Sequence, residues 1–251
     1  MIQLKNITAQ FNKTLILKNV SCSLQKGDFV TIIGPNGAGK TTLFDLIAGK
    51  LLLADGDICI DGKSVSKLDE VNRAHLVSRL FQNPHLNTVG SMTVEENLAL
   101  ATLKNKRAKL KNINGAFPHD VYEHILKPMN GSIDKLLKMP MGSLSGGQRQ
   151  MIAIVMAIIC PPKILLLDEP TAALDPQSAT KVLMFISKVI RKQNITTLLI
   201  THDQKIATNM GNKLWVLKNG TIESELGCEK RTAELSQLMG EIDYKQLAAA
   251  A

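Results

Sequence analysis

The run Gly34-Pro35-Asn36-Gly37-Ala38-Gly39-Lys40-Thr41 constrains this chain more than any other. It fits GxxxxGK[ST]. Before it stands Phe29-Val30-Thr31-Ile32-Ile33, a β-branched run that reads as a fully buried strand. After it, Thr41 to Leu51 has Leu43, Leu46, Ile47 and Leu51 at helical spacing. A strand, a glycine-rich turn and a helix in that order form a phosphate loop. The glycines let backbone N–H groups converge on phosphate oxygens, and the helix N-terminus adds a favourable field for the anion. Lys40 would reach the β- and γ-phosphates and the Thr41 hydroxyl would hold Mg²⁺, with Thr42 in the same binding set.

A second feature is the apolar run Ile164-Leu165-Leu166-Leu167 ending in Asp168-Glu169. Carboxylates at the end of a buried strand are costly unless paired with a metal or with protons. At the C-terminal edge of a parallel sheet they face the ligand crevice. Asp168 would hold Mg²⁺ directly or through water, and Glu169 would lie beside the γ-phosphate and polarise an attacking water. The third feature is Leu144-Ser145-Gly146-Gly147-Gln148, where Ser145 and Gln148 match a capping box. Two glycines inside a first helical turn cost stability, and they make sense if another backbone or an anion must approach closely. The run reads as a second anion site, far along the chain from Lys40.

Composition narrows the class. The 251 residues carry 30 Lys+Arg and 22 Asp+Glu, a net charge of +8, with 45% apolar residues. That excludes disorder, collagen and disulfide scaffolds. No apolar stretch is long enough for a membrane span, since Ile152 to Cys160 stops at Pro161-Pro162, and no secretory signal opens the chain. Cys22, Cys59, Cys160 and Cys228 are widely spaced and read as reduced core thiols, without a CxxC pair for structural zinc. The basic cluster Lys104, Lys106, Arg107, Lys109 and Lys111 reads as a solvated helix end or a contact with lipid headgroups.

The expected organisation is α/β. Ile2 to Ile7 alternates as a strand, Leu15 to Leu24 reads as a strand-pair region, and Asp57 to Gly62 as strand plus turn. From about Asn83 helical signals take over. Thr93 and Glu96 form a capping box, Asn112 to Pro118 is a loop, and Asp120 to Lys127 is helical. Beyond Ser145, Met151 to Cys160 and Ser178 to Gln193 read as helices and Thr196 to Thr201 as a buried strand. A closing hairpin turns at Asn219-Gly220. Ala248 to Ala251 is a low-complexity tail.

With these residues in view, the chain resembles the ABC ATPases over nearly its whole length, from Ile2 to about Gly240. The phosphate loop, Leu144-Ser145-Gly146-Gly147-Gln148 and Leu167-Asp168-Glu169-Pro170 carry the likeness in that order. The resemblance implies a single domain over 1–240, with a P-loop ATPase core (1–82 and 145–240), an N-terminal antiparallel β region and an inserted helical subdomain over about 83–144; 241–251 is a tail. It implies that Gln82 contacts Mg²⁺ and water, that Asp175 lies in the loop crossing to the partner subunit, that His202 contacts the γ-phosphate, and that Phe11 stacks on adenine. Family members act as head-to-tail dimers, homodimers or paired subunits, with each ATP between one phosphate loop and the other copy's Ser145-to-Gln148 run. Phe81-Gln82-Asn83-Pro84 through Ser91 to Ala101 is similar to a bacterial importer group that works with a permease and a periplasmic binding protein. The reading that follows is an ATPase powering import from the inner face of the bacterial membrane, with ATP and Mg²⁺ and no nucleic acid. The alternatives are an exporter ATPase, or a soluble ABC ATPase for iron–sulfur assembly or nucleic acid.

Overall fold

Ile2, Leu4, Ile7 and Ala9 put their side chains on one buried face, and Ile2–Phe11 forms strand β1. The computed structural model describes residues 1–103 and 133–227. The basic cluster at Lys104 to Lys111, the loop at Asn112 to Pro118, the helix expected at Asp120 to Lys127, Cys228 and the alanine tail lie outside the described residues. The chain divides into two compact units, Met1–Val71 with Thr196–Ala251, and Asn72–Ile195.

In the first unit, β1 turns at Asn12-Lys13, both left-handed, into β2 (Thr14–Leu24), with Phe11 opposite Thr14. The region expected as a strand pair is therefore one strand, whose partner is β1. β4 (Asp55–Ile60) and β5 (Lys63–Ser64) complete an antiparallel sheet in the order β2-β1-β4-β5. β3 (Phe29–Ile33) is buried at every residue. It runs parallel to β8 (Thr196–Ile200) on one side and to β9 (Lys213–Lys218) on the other. β9 pairs with β10 (Thr221–Gly227) through Asn219-Gly220, both at positive φ, the two-residue turn that the dipeptide predicts.

Helix α1 spans Lys40–Ala48 and stops short of the expected Leu51. Gly49 takes the left-handed conformation, and its amide bonds back to Asp45 and Leu46, which closes the last turn. A short helix not foreseen from the sequence, Gln204–Asn209, starts where Asp203 caps the amides of Lys205 and Ile206.

In the second unit, β6 (Val77–Leu80) pairs in parallel with β7 (Ile164–Asp168). The sequence reading had no strand at β6, because Ser78 and Arg79 interrupt its apolar pattern. The chain enters this unit through α2 (Glu70–Arg73). Helices α3 (Val94–Thr102), α4 (Ile133–Lys138), α5 (Gly146–Ile158) and α6 (Pro176–Gln193) follow. Val94, Leu98, Leu137, Met141, Leu144, Ile152 and Val155 form one buried cluster among them. The capping box at Thr93 and Glu96 is present. α5 begins five residues before the expected Met151, because the box at Ser145 and Gln148 opens it at Gly146. α6 begins two residues before the expected Ser178, because Asp175 accepts from the amides of Gln177 and Ser178 and Pro176 suits the first turn. Cys22, Cys59 and Cys160 are thiols in no disulfide. Burial, then the Glu225 carboxylate, pushes Cys22 up to about 12, so it is inert at neutral pH.

Candidate functional site

Candidate residues lie in both units. In the first, β3 delivers the chain into Gly34. A Cβ on Gly34 would lie 2.0 Å from the carbonyl oxygen of Leu217 on β9. One on Gly39, which sits at φ 100, would lie 2.7 Å from a Leu17 methyl and 3.3 Å from the Ile16 carbonyl of β2. The loop is therefore pressed against backbone on both sides, which leaves no place for side chains at those positions. Pro35 accepts from the Ala38 amide within the loop. Asn36, Gly37 and Thr41 are exposed, Thr42 is half-buried and Ala38 is buried.

Lys40 is 6% exposed, and its ammonium donates to the Gly34 and Pro35 carbonyls at 2.8 and 2.9 Å. The amine is thus held over the loop by acceptors that phosphate oxygens can replace. No acidic residue stands in the first turn of α1, so its N-terminal field is uncancelled. His202 leaves the same end of β8 that Gly34 leaves on β3, because Ile32 stands opposite Ile200 and the Thr201 amide bonds to the Ile32 carbonyl. His202 is exposed. Phe11, at the tip of the β1–β2 hairpin, is 65% exposed. It is not a core aromatic, and its ring is available for stacking.

In the second unit, β7 ends in Asp168 and Glu169. Glu169 has φ 46, a left-handed backbone that costs a residue with a Cβ about 1–3 kcal/mol. Asp168 is nearly buried and takes a guanidinium from Arg79, 2.9 Å away on β6. Sequence reasoning missed that partner. Its only signal was a lone cation in the apolar run that leads to Gln82. Gln82 itself is exposed, two residues beyond the end of β6.

The Ser145-to-Gln148 run closes on itself. Ser145 Oγ accepts from the Gln148 amide, and Gln148 Oε1 accepts from the Ser145 amide. Ser145 and Gly146 are exposed, and α5 also starts without an acidic first turn. Gly147 is buried, and its missing Cβ has an intramolecular cause: it would meet Ser178 Cβ at 2.9 Å, at the start of α6. Of the two glycines, Gly147 is accounted for by this packing, whereas a Cβ on Gly146 would meet only the Leu174 side chain, at 3.3 Å. Asp175 is exposed, and the Ser178 hydroxyl and amide, with the Gln177 amide, hold its carboxyl below the usual carboxylate range.

The next two residues of α5 reach in different directions. Arg149 is buried and donates to Thr88 Oγ1 at 2.7 Å, with His85 Nδ1 at 3.0 Å. Gln150 donates to the carbonyl of Pro170, just past Glu169, at 2.9 Å. So α5 ties the segment after Gln82 to the loop after Glu169. Neither link was visible in the sequence.

Among the described residues, no three of His, Cys, Asp and Glu gather into a metal-binding group. In the first unit Thr41 offers a hydroxyl, and in the second Gln82 offers an amide oxygen and Asp168 a carboxylate. Each is a hard oxygen donor of the kind that Mg²⁺ takes.

A family model described as ABC transporter matches residues 17–172. A tyrosine transport ATP-binding protein of Clostridioides difficile is 38% identical over 250 residues, covering 97% of this chain and 99% of that protein. A methionine import ATP-binding protein of Rhizobium johnstonii is 33% identical over 228 residues, 90% of this chain and 60% of the longer relative. Among solved structures, a dimeric ATP-binding cassette in a post-hydrolysis state, bound to ADP and Pi, superposes with a TM-score of 0.74 at 30% identity. That match covers 91% of this chain and 99% of the other.

Proposed function

The chain belongs to the ABC transporter family, as an ATP-binding subunit and ATPase of that kind, and from that premise we propose that it powers solute import through separate permease subunits. The observation that carries the ATP chemistry is the phosphate loop, built from backbone and closing on the N-terminus of α1. ATP displaces the loop carbonyls from Lys40, whose ammonium passes to the β- and γ-phosphates. Phe11 stacks on the adenine. Thr41, Gln82 and Asp168 would hold Mg²⁺, which would supply charge neutralisation at the phosphates. Glu169 orients and polarises the attacking water, and His202 holds the γ-phosphate. Ser145 to Gln148 of a second copy or paired subunit close over the same ATP, with the Asp175 loop at that boundary. ATP binds the closed state best, so hydrolysis removes the preference for closure and returns chemical energy as motion.

Among the described residues no helix is long and apolar enough to cross a membrane, so on this reading the pathway belongs to partner chains. Leu86, Val89 and Met139 are exposed in the second unit, in and beside the segment that follows Gln82. That apolar edge supports docking of a permease helix there, with 83–144 as the helical subdomain that carries it. The subunit then works peripherally on the cytoplasmic face of the cell membrane. Import is supported by the methionine import relative and by the likeness of the 81–101 segment to importers, and a periplasmic binding protein completes the system.

Glu169→Gln keeps the shape of the site and removes its base. With saturating Mg-ATP the purified variant should bind nucleotide, stop turning over and run as a dimer by light scattering; a monomer with ATP bound would contradict the sandwich. Gentle solubilisation of host membranes should recover a multi-span protein in stoichiometric amount, whereas recovery with soluble partners alone would sink the transport reading.

A further inference from the structure

Arg79 and Asp168 form an ion pair inside one unit. On β6 and β7, Arg79 stands opposite Leu166, two residues before Asp168 on the same face of the strand. The guanidinium reaches along that face and donates to Asp168 Oδ2 at 2.9 Å. Its carbon lies 4.8 Å from the centroid of the Phe81 ring, which steadies the cation from below. The two side chains are only 7% and 12% exposed, so solvent screens the pair weakly. The guanidinium thus engages the Oδ2 side of the carboxylate.

We propose that Arg79 sets the Mg²⁺ concentration at which this chain takes up Mg-ATP. It is a positioning residue with a charge. It holds Asp168 by one oxygen, leaves the other for the metal side, and competes with the metal for the carboxylate's field. The inference rests on the reading of Asp168 as the Mg²⁺ carboxylate. A full positive charge a few ångströms from a divalent ion, in a poorly screened setting, shifts its binding by roughly tenfold.

The test uses the full chain carrying Glu169→Gln, so that nucleotide persists. Binding of a fluorescent ATP analogue is titrated with Mg²⁺, and the half-saturating Mg²⁺ is compared between Arg79→Gln, Arg79→Lys, Asp168→Asn and the parent. Arg79→Gln should lower the midpoint roughly tenfold. Arg79→Lys keeps the charge and should stay near the parent, a rescue that a purely structural role does not provide. An Arg79→Gln midpoint unchanged or raised overturns the proposal. Asp168→Asn separates the two layers. If it raises the midpoint while Arg79→Gln has no effect, only the role of Arg79 fails; if Asp168→Asn itself changes nothing, the reading of Asp168 fails with it. Should Arg79→Gln not fold, Arg79→Met also removes the charge while keeping an unbranched stem. Its midpoint should fall by a similar factor, and an unchanged or raised value is again a refutation.

Discussion

Around Gly34 and Gly39 a Cβ meets a backbone carbonyl or a buried methyl at once, because strands β2 and β9 close on the phosphate loop. Around Asp168, Arg149 and Gln150 the second unit is held instead by side chains: a guanidinium on a carboxylate, a guanidinium on a hydroxyl and an imidazole, an amide on a carbonyl. The first construction is steric and all-or-none. The second is a set of directed polar bonds, each worth about 1 kcal/mol net, or somewhat more when one partner is charged. On the proposed function, the first kind suits a loop that would present amides to ATP in one geometry. The second kind suits a region whose bonds can be exchanged singly.

The contrast can be broken at its strongest point by Gly34→Ala. One methyl against the Leu217 carbonyl should cost about 3 kcal/mol of stability and abolish ATP binding. Near-native melting with normal ATP affinity would mean that the loop yields, and that it is no more rigid than the other unit. A smaller effect is expected from Gln150→Leu, which keeps the volume and deletes the bond to Pro170. Urea denaturation should show a loss of about 1 kcal/mol, and turnover should fall more than ATP affinity, because the change lies next to Glu169. Equal losses in both would place Gln150 in binding instead. The smallest structural effect belongs to Phe11→Ala. The ring is exposed, so stability should stay within about 0.5 kcal/mol. ATP affinity by calorimetry should nevertheless drop about fivefold with the loss of stacking. No change in affinity would leave the first unit holding nucleotide by backbone and Lys40 alone.

The two regions also differed in how far the sequence disclosed them. β3, the phosphate loop and α1 are continuous in the chain, and local pattern suffices for all three; only the stop at Gly49 was misjudged, because Leu51 continued the helical spacing. The capping boxes at Ser145 and Thr93 are equally local and are present as read. Arg79 on Asp168, Arg149 on Thr88 and Gln150 on Pro170 are bonds between elements distant in sequence, and nothing in a spacing rule announces them. β6 went unread for the same cause: Ser78 and Arg79 look like solvent-facing residues until their burial beside β7 is known. Gly147 reads in the sequence as room for another backbone or an anion, and the structure supplies the Ser178 side chain as a nearer reason.

The closure of β9 on Gly34 also bears on how the protein is made. Residues 213–218 lie beside β3 and supply the Leu217 carbonyl against the loop, and Gly220 packs under the Ile16 carbonyl of β2 in the same way. A ribosome that has just released the phosphate loop has roughly 180 residues still to add before these strands exist. At about 5–20 residues per second that is an interval on the order of 10–40 s. Through that interval the growing chain carries a nucleotide motif without the walls that shape it. Firm binding of ATP therefore waits for residues 213–220 to emerge and does not begin when the motif itself does.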